Sequence, residues 1–291
     1  MSDADLHCLI CGGGSFISLP YYYEFRGRII RIVRCACCSL VTLYPMPSQD
    51  EINSLYTEEY FQSEYHCGTS KGSYTSEIVT MKRAFLPHLR SIRRFRPSGR
   101  YLEVGCAGGA ELQVAKEHDY EVLGVELNAE MASWGRENLG LDIRQGTLQD
   151  QAFPSSFFDV VYLGDVIEHI LRPLDLLAEI HRILKPAGVI ALAYPMEMNH
   201  LVPRLRTLLR LDFKSPHYPY HVFSYNNLSM RALLTKAGYT IRWQKTDKLV
   251  RMSGLATGAL DSINFALTRV SGRFGDRGFT IAEIRRNGNE K

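Results

Sequence analysis

Between about residue 100 and residue 195 the chain repeats one rhythm, a short apolar run followed by an amphipathic stretch. Apolar runs at 101–104, 121–125, 142–145, 158–164 and 189–194 predict strands, and helical spacing predicts helices over 111–118, 129–139 and 173–184. Strand followed by helix at this interval predicts an α/β fold with a doubly wound parallel sheet. Downstream, residues 228–237 predict a helix that stops at Gly238, 239–244 alternate as a strand, and 279–284 give a last one. That brings the sheet to seven strands.

Upstream, Ile78, Met81, Phe85, Leu89 and Ile92 recur at helical spacing with basic residues between them, so 77–95 predict an amphipathic helix packed on the sheet. Its basic run 90–96 reads as a solvated face, with phosphate binding as the alternative. Tyr44-Pro-Met-Pro-Ser48 reads as a rigid linker, with Ser48 capping a helix over 49–56. The Gly/Ser/Thr-rich stretch 68–76 is expected to be a mobile loop beside the site. Two apolar stretches, 201–211 and 249–274, carry Arg204, Arg206, Arg210, Arg251, Arg269 and Arg273. They predict a lid or a dimer surface, with peripheral membrane contact as the alternative. The resulting division is 1–45 as a small module, 46–98 as a helical cap, and 99–291 as the main domain with insertions at 201–237 and 248–277. The tail 287–291 reads as disordered.

A chain of 291 residues, 45% hydrophobic, has ample material for one large core and a small accessory unit. Its net charge of +3 is too small to argue for nucleic acid or an acidic substrate. There is no apolar run of membrane-spanning length and no charged-then-apolar start, so a cytoplasmic location is expected. Cys8-Leu-Ile-Cys11 and Cys35-Ala-Cys-Cys38 are two C-x2-C pairs at zinc-ribbon spacing. Four thiolates leave no open position, so the ion they predict is a structural zinc held by Cys8, Cys11, Cys35 and Cys38, with Cys37 a competitor for Cys38. Cys106 reads as a packing residue.

The chemistry concentrates at Tyr101-Leu-Glu-Val-Gly-Cys-Ala-Gly-Gly109, a strand entering a glycine-rich turn. The dinucleotide spacing fails because Ala107 stands where the second glycine must let a pyrophosphate approach. Glu103, just before the turn, would repel a diphosphate and attract an ammonium group. Glu126 ends the next strand, where ribose hydroxyls are held in such folds. A ligand with a ribose, a cationic amino-acid tail and no phosphate fits both, and S-adenosylmethionine is such a ligand.

With these residues in place, the chain resembles the class I S-adenosylmethionine-dependent methyltransferases. Gly146-Thr-Leu148, Phe157-Phe-Asp-Val-Val161, Asp165-Val-Ile-Glu-His169 and Leu184-Lys-Pro-Ala-Gly188 follow in that family's order, over residues 100–195. The resemblance implies a Rossmann-like seven-stranded sheet with helices on both faces. It places the cofactor against Glu103, Gly105, Ala107, Gly109, Glu126, Leu127, Thr147, Leu148 and Gly164. The cysteine pairs and Tyr60-Phe61 resemble a subgroup that tailors saccharides and natural products. A hydroxyl acceptor wants a base on the carboxyl-edge loops, where His169, His217 and His221 are available, with Asp165 orienting the helix start or touching substrate. A similar acidic-His segment holds a divalent cation in ubiquinone-pathway methyltransferases, a second meaning for Asp165, Glu168 and His169. The expected reaction is O-methylation of a small molecule, a saccharide or glycolipid hydroxyl, by a monomer or homodimer. The alternatives are an RNA methyltransferase that reads nucleic acid through the zinc module, and C-methylation of a nucleotide deoxysugar.

Overall fold

Each strand read from the apolar runs forms, and all seven lie in one sheet. The computed structural model describes residues 6–54, 66–67, 70–71, 74–199, 201–215, 220–247, 263, 266–268 and 275–285. The chain opens with β1 (Phe16–Phe25), β2 (Arg28–Cys35), β3 (Val41–Tyr44) and α1 (Gln49–Asn53). A small hairpin of β4 (His66–Cys67) and β5 (Ser70–Lys71) precedes α2 (Tyr74–Arg93). Then come β6 (Gly99–Val104), α3 (Ala110–Lys116), β7 (Tyr120–Glu126), α4 (Ala129–Leu139) and β8 (Ile143–Gln145). After them stand β9 (Phe158–Gly164), α5 (Pro173–Ile183), β10 (Leu184–Pro195) and α6 (Leu201–Leu209). The chain continues through β11 (Phe213–Lys214), β12 (Phe223–Ser224), α7 (Asn227–Lys236), β13 (Tyr239–Asp247) and β14 (Arg277–Ile284).

The large sheet runs β13-β14-β10-β9-β6-β7-β8. Neighbours are parallel except at β14, which is antiparallel to both β10 and β13. The strand order reverses beside β6, whose partners are β7 and β9. A crevice opens at the carboxyl end of such a switch point. Both faces of the central strands are covered, so Val160, Val161, Leu163, Ile190 and Leu192 are all buried, as near-continuous apolar runs require. On one side α5 buries Leu176, Leu177, Ile180 and Ile183, and each such side chain contributes roughly 1.5–3 kcal/mol. On the other side α2 buries Met81, Phe85, Leu89 and Ile92, the predicted stripe. The basic end of α2 is not simply a solvated face. Arg93 donates to the His118 carbonyl, and Arg96 lies 3.7 Å from Glu283. The predicted loop 68–76 is shorter than expected, because Ser70–Lys71 pairs with His66–Cys67 and α2 starts at Tyr74.

The N-terminal residues depart most from the pattern. The apolar alternation over 28–33 predicts one strand there; three form, and they pair antiparallel. Two short strands from the 201–237 insertion complete the sheet, in the order β11-β1-β2-β3-β12. A three-stranded sheet leaves two open edges, and these additions cover both. Leu19, Ile30 and Leu43 from this sheet bury into the same core as Leu163, Leu192 and Tyr194. The small module and the insertion therefore share one sheet and one core.

The cysteine pairs form two matching turns. Gly12 N donates to Cys8 O at 2.7 Å and Ser39 N to Cys35 O at 3.1 Å, with Gly12 and Ser39 both left-handed. The sulfurs of Cys8, Cys11, Cys35 and Cys38 all lie within 4.8 Å of one another and form no disulfide. Cys37 is exposed and stands outside that set. Tyr60, Phe61, His217, Arg251, Arg269, Arg273 and the 287–291 tail lie outside the described residues. Among the described residues no helix is long and apolar enough to cross a membrane.

Candidate active site

A cavity of about 970 Å³ opens at the carboxyl ends of β6, β7 and β9. Glu103, Gly105, Ala107, Glu126, Leu127, Thr147, Leu148 and Gly164 line it, together with Asp165, His169 and His221. Residues predicted from five separate stretches of sequence thus meet in one place. Gly109 is not among the lining residues. It caps α3 in a left-handed conformation, and a side chain there would lie 2.5 Å from Leu141. Its job is to let helix and sheet pack closely.

The turn after β6 is fixed from both ends. Gly105 N donates to Val125 O at 2.8 Å, and Gly105 has a φ of +70° with Val166 Cγ2 where a Cβ would fall. Only glycine satisfies both conditions. Ala107 is itself left-handed, and its N–H donates to Glu126 Oε2 at 2.7 Å. Glu126 Oε1 accepts from Asn128 N at 2.8 Å. This carboxylate therefore staples the turn after β6 to the start of α4, with the Leu127 N–H as a third backbone partner. Leu127 beside it is 60% exposed, an apolar surface on the cavity wall. Thr147 spends its N–H and its hydroxyl on Asp150 Oδ2, at 2.8 and 2.6 Å.

Glu103 is 2% exposed, and its Oε2 has no hydrogen-bond partner. Its carboxyl shares a hydrogen bond with Glu111, a residue the sequence reading passed over. Burial first, and then the charge of Glu111, hold the Glu103 carboxyl well above the usual carboxylate range. Burial likewise raises Glu111 to about 7. Two buried acids facing each other keep a proton between them. A cation placed against Glu103 would displace that proton.

At the other end of the cavity stand Asp165, Glu168, His169 and His221. The chain turns sharply after β9, with Asp165 left-handed and Glu168 and His169 in a single 3-10 turn. Arg277, at the start of β14, grips Asp165 at 2.6 and 2.8 Å. A set built from Asp165, Glu168 and His169 would need Asp165, and the arginine engages it instead. The group that does converge is Glu168, His169 and His221, with one oxygen and two ring nitrogens within 4.8 Å of one another. His221 Nδ1 lies 2.6 Å from Glu197 Oε1. His169 Nδ1 lies 2.9 Å from the Tyr220 carbonyl, an acceptor only, so Nδ1 carries the proton and Nε2 the lone pair. The two rings meet edge to face with centroids 4.7 Å apart.

The charges of this group follow from its burial. Burial and the His221 charge push His169 down to about 3, so it is neutral. Burial also works against His221, but the adjoining Glu197 carboxylate outweighs it and raises His221 to about 9. Burial, and then Asp165, lift Glu168 to about 8. The segment that carries His221 is stitched to its surroundings through Val222. Val222 N donates to Glu168 O at 3.0 Å, and its carbonyl accepts from Leu43 N and Thr42 Oγ1, both at 3.3 Å. Glu197 could have been read from the sequence as an acid two residues past β10, on the edge where sites form. Arg277 carried no signal at all.

The family described as "Methyltransferase domain" matches residues 80–244, more than half of the chain. Among curated proteins, phosphoethanolamine N-methyltransferase 3 of Arabidopsis thaliana is 31% identical over 99 residues, 32% of this chain and 20% of that protein. A ubiquinone biosynthesis O-methyltransferase of Ruegeria pomeroyi is 35% identical over 95 residues, 31% of this chain and 38% of the relative. A sterol 24-C-methyltransferase of Gibberella zeae is 28% identical over 143 residues, 46% of this chain and 37% of the relative. The chain spans about a fifth of the plant protein's length and under two-fifths of the other two. Their names cover nitrogen, oxygen and carbon acceptors. Among solved structures, the cyclase SpnF superposes with a TM-score of 0.55 at 14% identity, covering 82% of this chain and 97% of that one. A Pyrococcus horikoshii OT3 protein gives 0.52 at 17% identity, covering 80% and 99%. These two likenesses establish the fold, on which unrelated reactions are known to sit. By the family match and the sheet order together, this chain belongs to the methyltransferase domain family and carries a domain of the S-adenosylmethionine-dependent class.

Proposed function

We propose that the protein transfers the methyl group of S-adenosylmethionine to a hydroxyl of a small molecule, a saccharide or glycolipid. The observation that carries this reading is the single cavity whose one end is an acidic cradle and whose other end is an acid–base cluster.

The chain's residues fit the cofactor. Glu103, buried with an unpartnered oxygen, would take the ammonium of the amino-acid tail. Glu126, at the strand end on the cavity wall, suits the ribose hydroxyls, and exposed Leu127 offers a purine ring an apolar face. Gly105, Ala107, Leu148 and Gly164 would complete the wall, with Gly109 shaping the turn from behind. When bound, S-adenosylmethionine supplies a methyl group already activated on a positively charged sulfur. The protein's share is to hold the acceptor in line, worth up to ~7–11 kcal/mol, and to manage one proton. His169 and His221 lie at the acceptor end, and Asp165 is a positioning residue held by Arg277. Gln49, Arg172 and Asp175 add polar groups to the wall, as a polyhydroxyl acceptor requires.

The four thiols Cys8, Cys11, Cys35 and Cys38 fit a zinc ion by donor type and convergence. All four positions being sulfur, such an ion is structural. It ties together the two turns at the root of the sheet that ends in β12.

The test is transfer of labelled methyl from S-adenosylmethionine into host extract separated into RNA, small polar metabolites and lipids. Label in the metabolite or lipid fraction is expected. Label confined to RNA overturns the acceptor assignment and makes the cysteine module a nucleic-acid reader.

A further inference from the structure

We propose that Glu168 is the catalytic residue that takes the proton from the acceptor hydroxyl, and that the two histidines hold the charge and the acceptor around it. The proposal rests on the methyl-transfer reading above.

The geometry singles Glu168 out. It is 0% exposed, it lines the cavity, and neither carboxyl oxygen has a hydrogen bond. A buried polar group left unpartnered costs about 1–3 kcal/mol, more when charged, a cost that a hydroxyl arriving in the cavity would recover. His169 Nε2 stands 3.8 Å from Oε1, too far for a hydrogen bond. Its backbone carbonyl accepts from the Val222 N–H, which fixes the turn from which the side chain starts.

The histidines are worse placed for the task. His221 has its Nδ1 committed to Glu197, and the pair keeps the ring a cation up to about pH 9. A cation has no lone pair to offer. His169 keeps its lone pair, but burial makes it a very weak base. Glu168 is the member of the three whose proton-accepting atoms carry no hydrogen bond on the cavity side.

The groups around Glu168 balance. Asp165 pairs with Arg277, and Glu197 with His221; His169 and Tyr225 face it uncharged. In the step, a bond forms between the acceptor oxygen and the methyl carbon as the carbon–sulfur bond breaks, its electron pair remaining on sulfur. The hydroxyl proton passes to a Glu168 oxygen. One positive and one negative charge vanish together, a change that a buried, low-dielectric site favours.

The experiment compares the full-length parent with Glu168→Gln. Isotope-edited infrared spectra of the parent should show a protonated carboxyl that ionises with a midpoint of about 8 and is missing from the variant. Saturation with S-adenosylmethionine should lower that midpoint by about one unit, and neutral S-adenosylhomocysteine should not. Methyl transfer into the extract fraction labelled by the parent should fall on the order of a hundredfold or more, with the rising limb of kcat/KM against pH abolished. Glu168→Asp should restore part of the rate and the limb. S-adenosylhomocysteine affinity should stay within about threefold, since the cradle is separate. A carboxyl band indifferent to the sulfonium overturns the proposal, and needs no acceptor to do so. A limb that moves with His221→Asn or His169→Asn, and not with Glu168→Gln, overturns it too. A parent that binds no S-adenosylhomocysteine instead marks failure of the cofactor reading beneath it.

Discussion

The two ends of the cavity are built by different means. At the cradle, Glu103, Gly105 and Ala107 come from one turn, and Glu126 and Leu127 from the next strand end. Their hydrogen bonds are short in sequence, 19 residues from Ala107 to Glu126 and 20 from Gly105 to Val125. At the acceptor end, Arg277 reaches Asp165 across 112 positions, His169 meets Tyr220 across 51, and Thr42 reaches Val222 across 180. The cradle is a property of two adjacent parallel strands. The acceptor end is a property of the whole fold. A conserved reaction with a variable acceptor can be divided in just this way, with the donor half local and the acceptor half assembled from distant pieces.

The largest test of that division is removal of the metal proposed for the four cysteines. A structural zinc contributes ~10–16 kcal/mol of apparent folding free energy, so chelation should loosen β3 and β12. Hydrogen exchange at 41–44 and 222–224 should rise sharply, while S-adenosylhomocysteine still binds within about threefold. Equal loss at both ends would show that they are one unit. Next in size is Glu126→Ala. It removes the acceptor for three backbone N–H groups and for the ligand, each charge-assisted bond worth roughly 1.5–3 kcal/mol. Calorimetry should find S-adenosylhomocysteine bound at least a hundredfold more weakly, at about 1.4 kcal/mol per tenfold. Unchanged affinity would move the cofactor elsewhere. The smallest effect is expected from Glu197→Gln. With the carboxylate gone, burial prevails at His221, and its proton affinity falls by roughly one to two units. Histidine resonances followed against pH would show the ring turning neutral near physiological pH instead of at about 9. A His221 that titrates as before would mean that Asp165 and Glu168 alone hold its charge.

What could be read from the residues follows the same line. The parallel strands, the glycine turn and both cradle acids were legible because each depends on neighbours within one strand–helix repeat. Glu111 escaped because its importance lies in facing Glu103 across the turn, which no periodicity records. Glu197 and Arg277 escaped because their partners, His221 and Asp165, are remote. Glu168 was noticed only as a companion of His169, and its lack of any hydrogen bond is visible only in three dimensions. The hairpin of β1 and β2 was half missed, since its outward positions carry Ile17 and Ile29, both exposed, which blurs the alternation.

The sheet that joins β3 to β12 has a consequence for anyone who would recombine this protein with a relative. A cut near residue 45 looks natural, because a proline-rich linker follows the cysteine turns. Yet grafting 8–44 alone would give β12, the strand that follows His221, a foreign neighbour. The smallest exchangeable block is 8–44 together with 213–224, two pieces of chain that travel as one part. Chimeras respecting that pairing should inherit the donor's taste for an acceptor, and those that split it should inherit neither parent's.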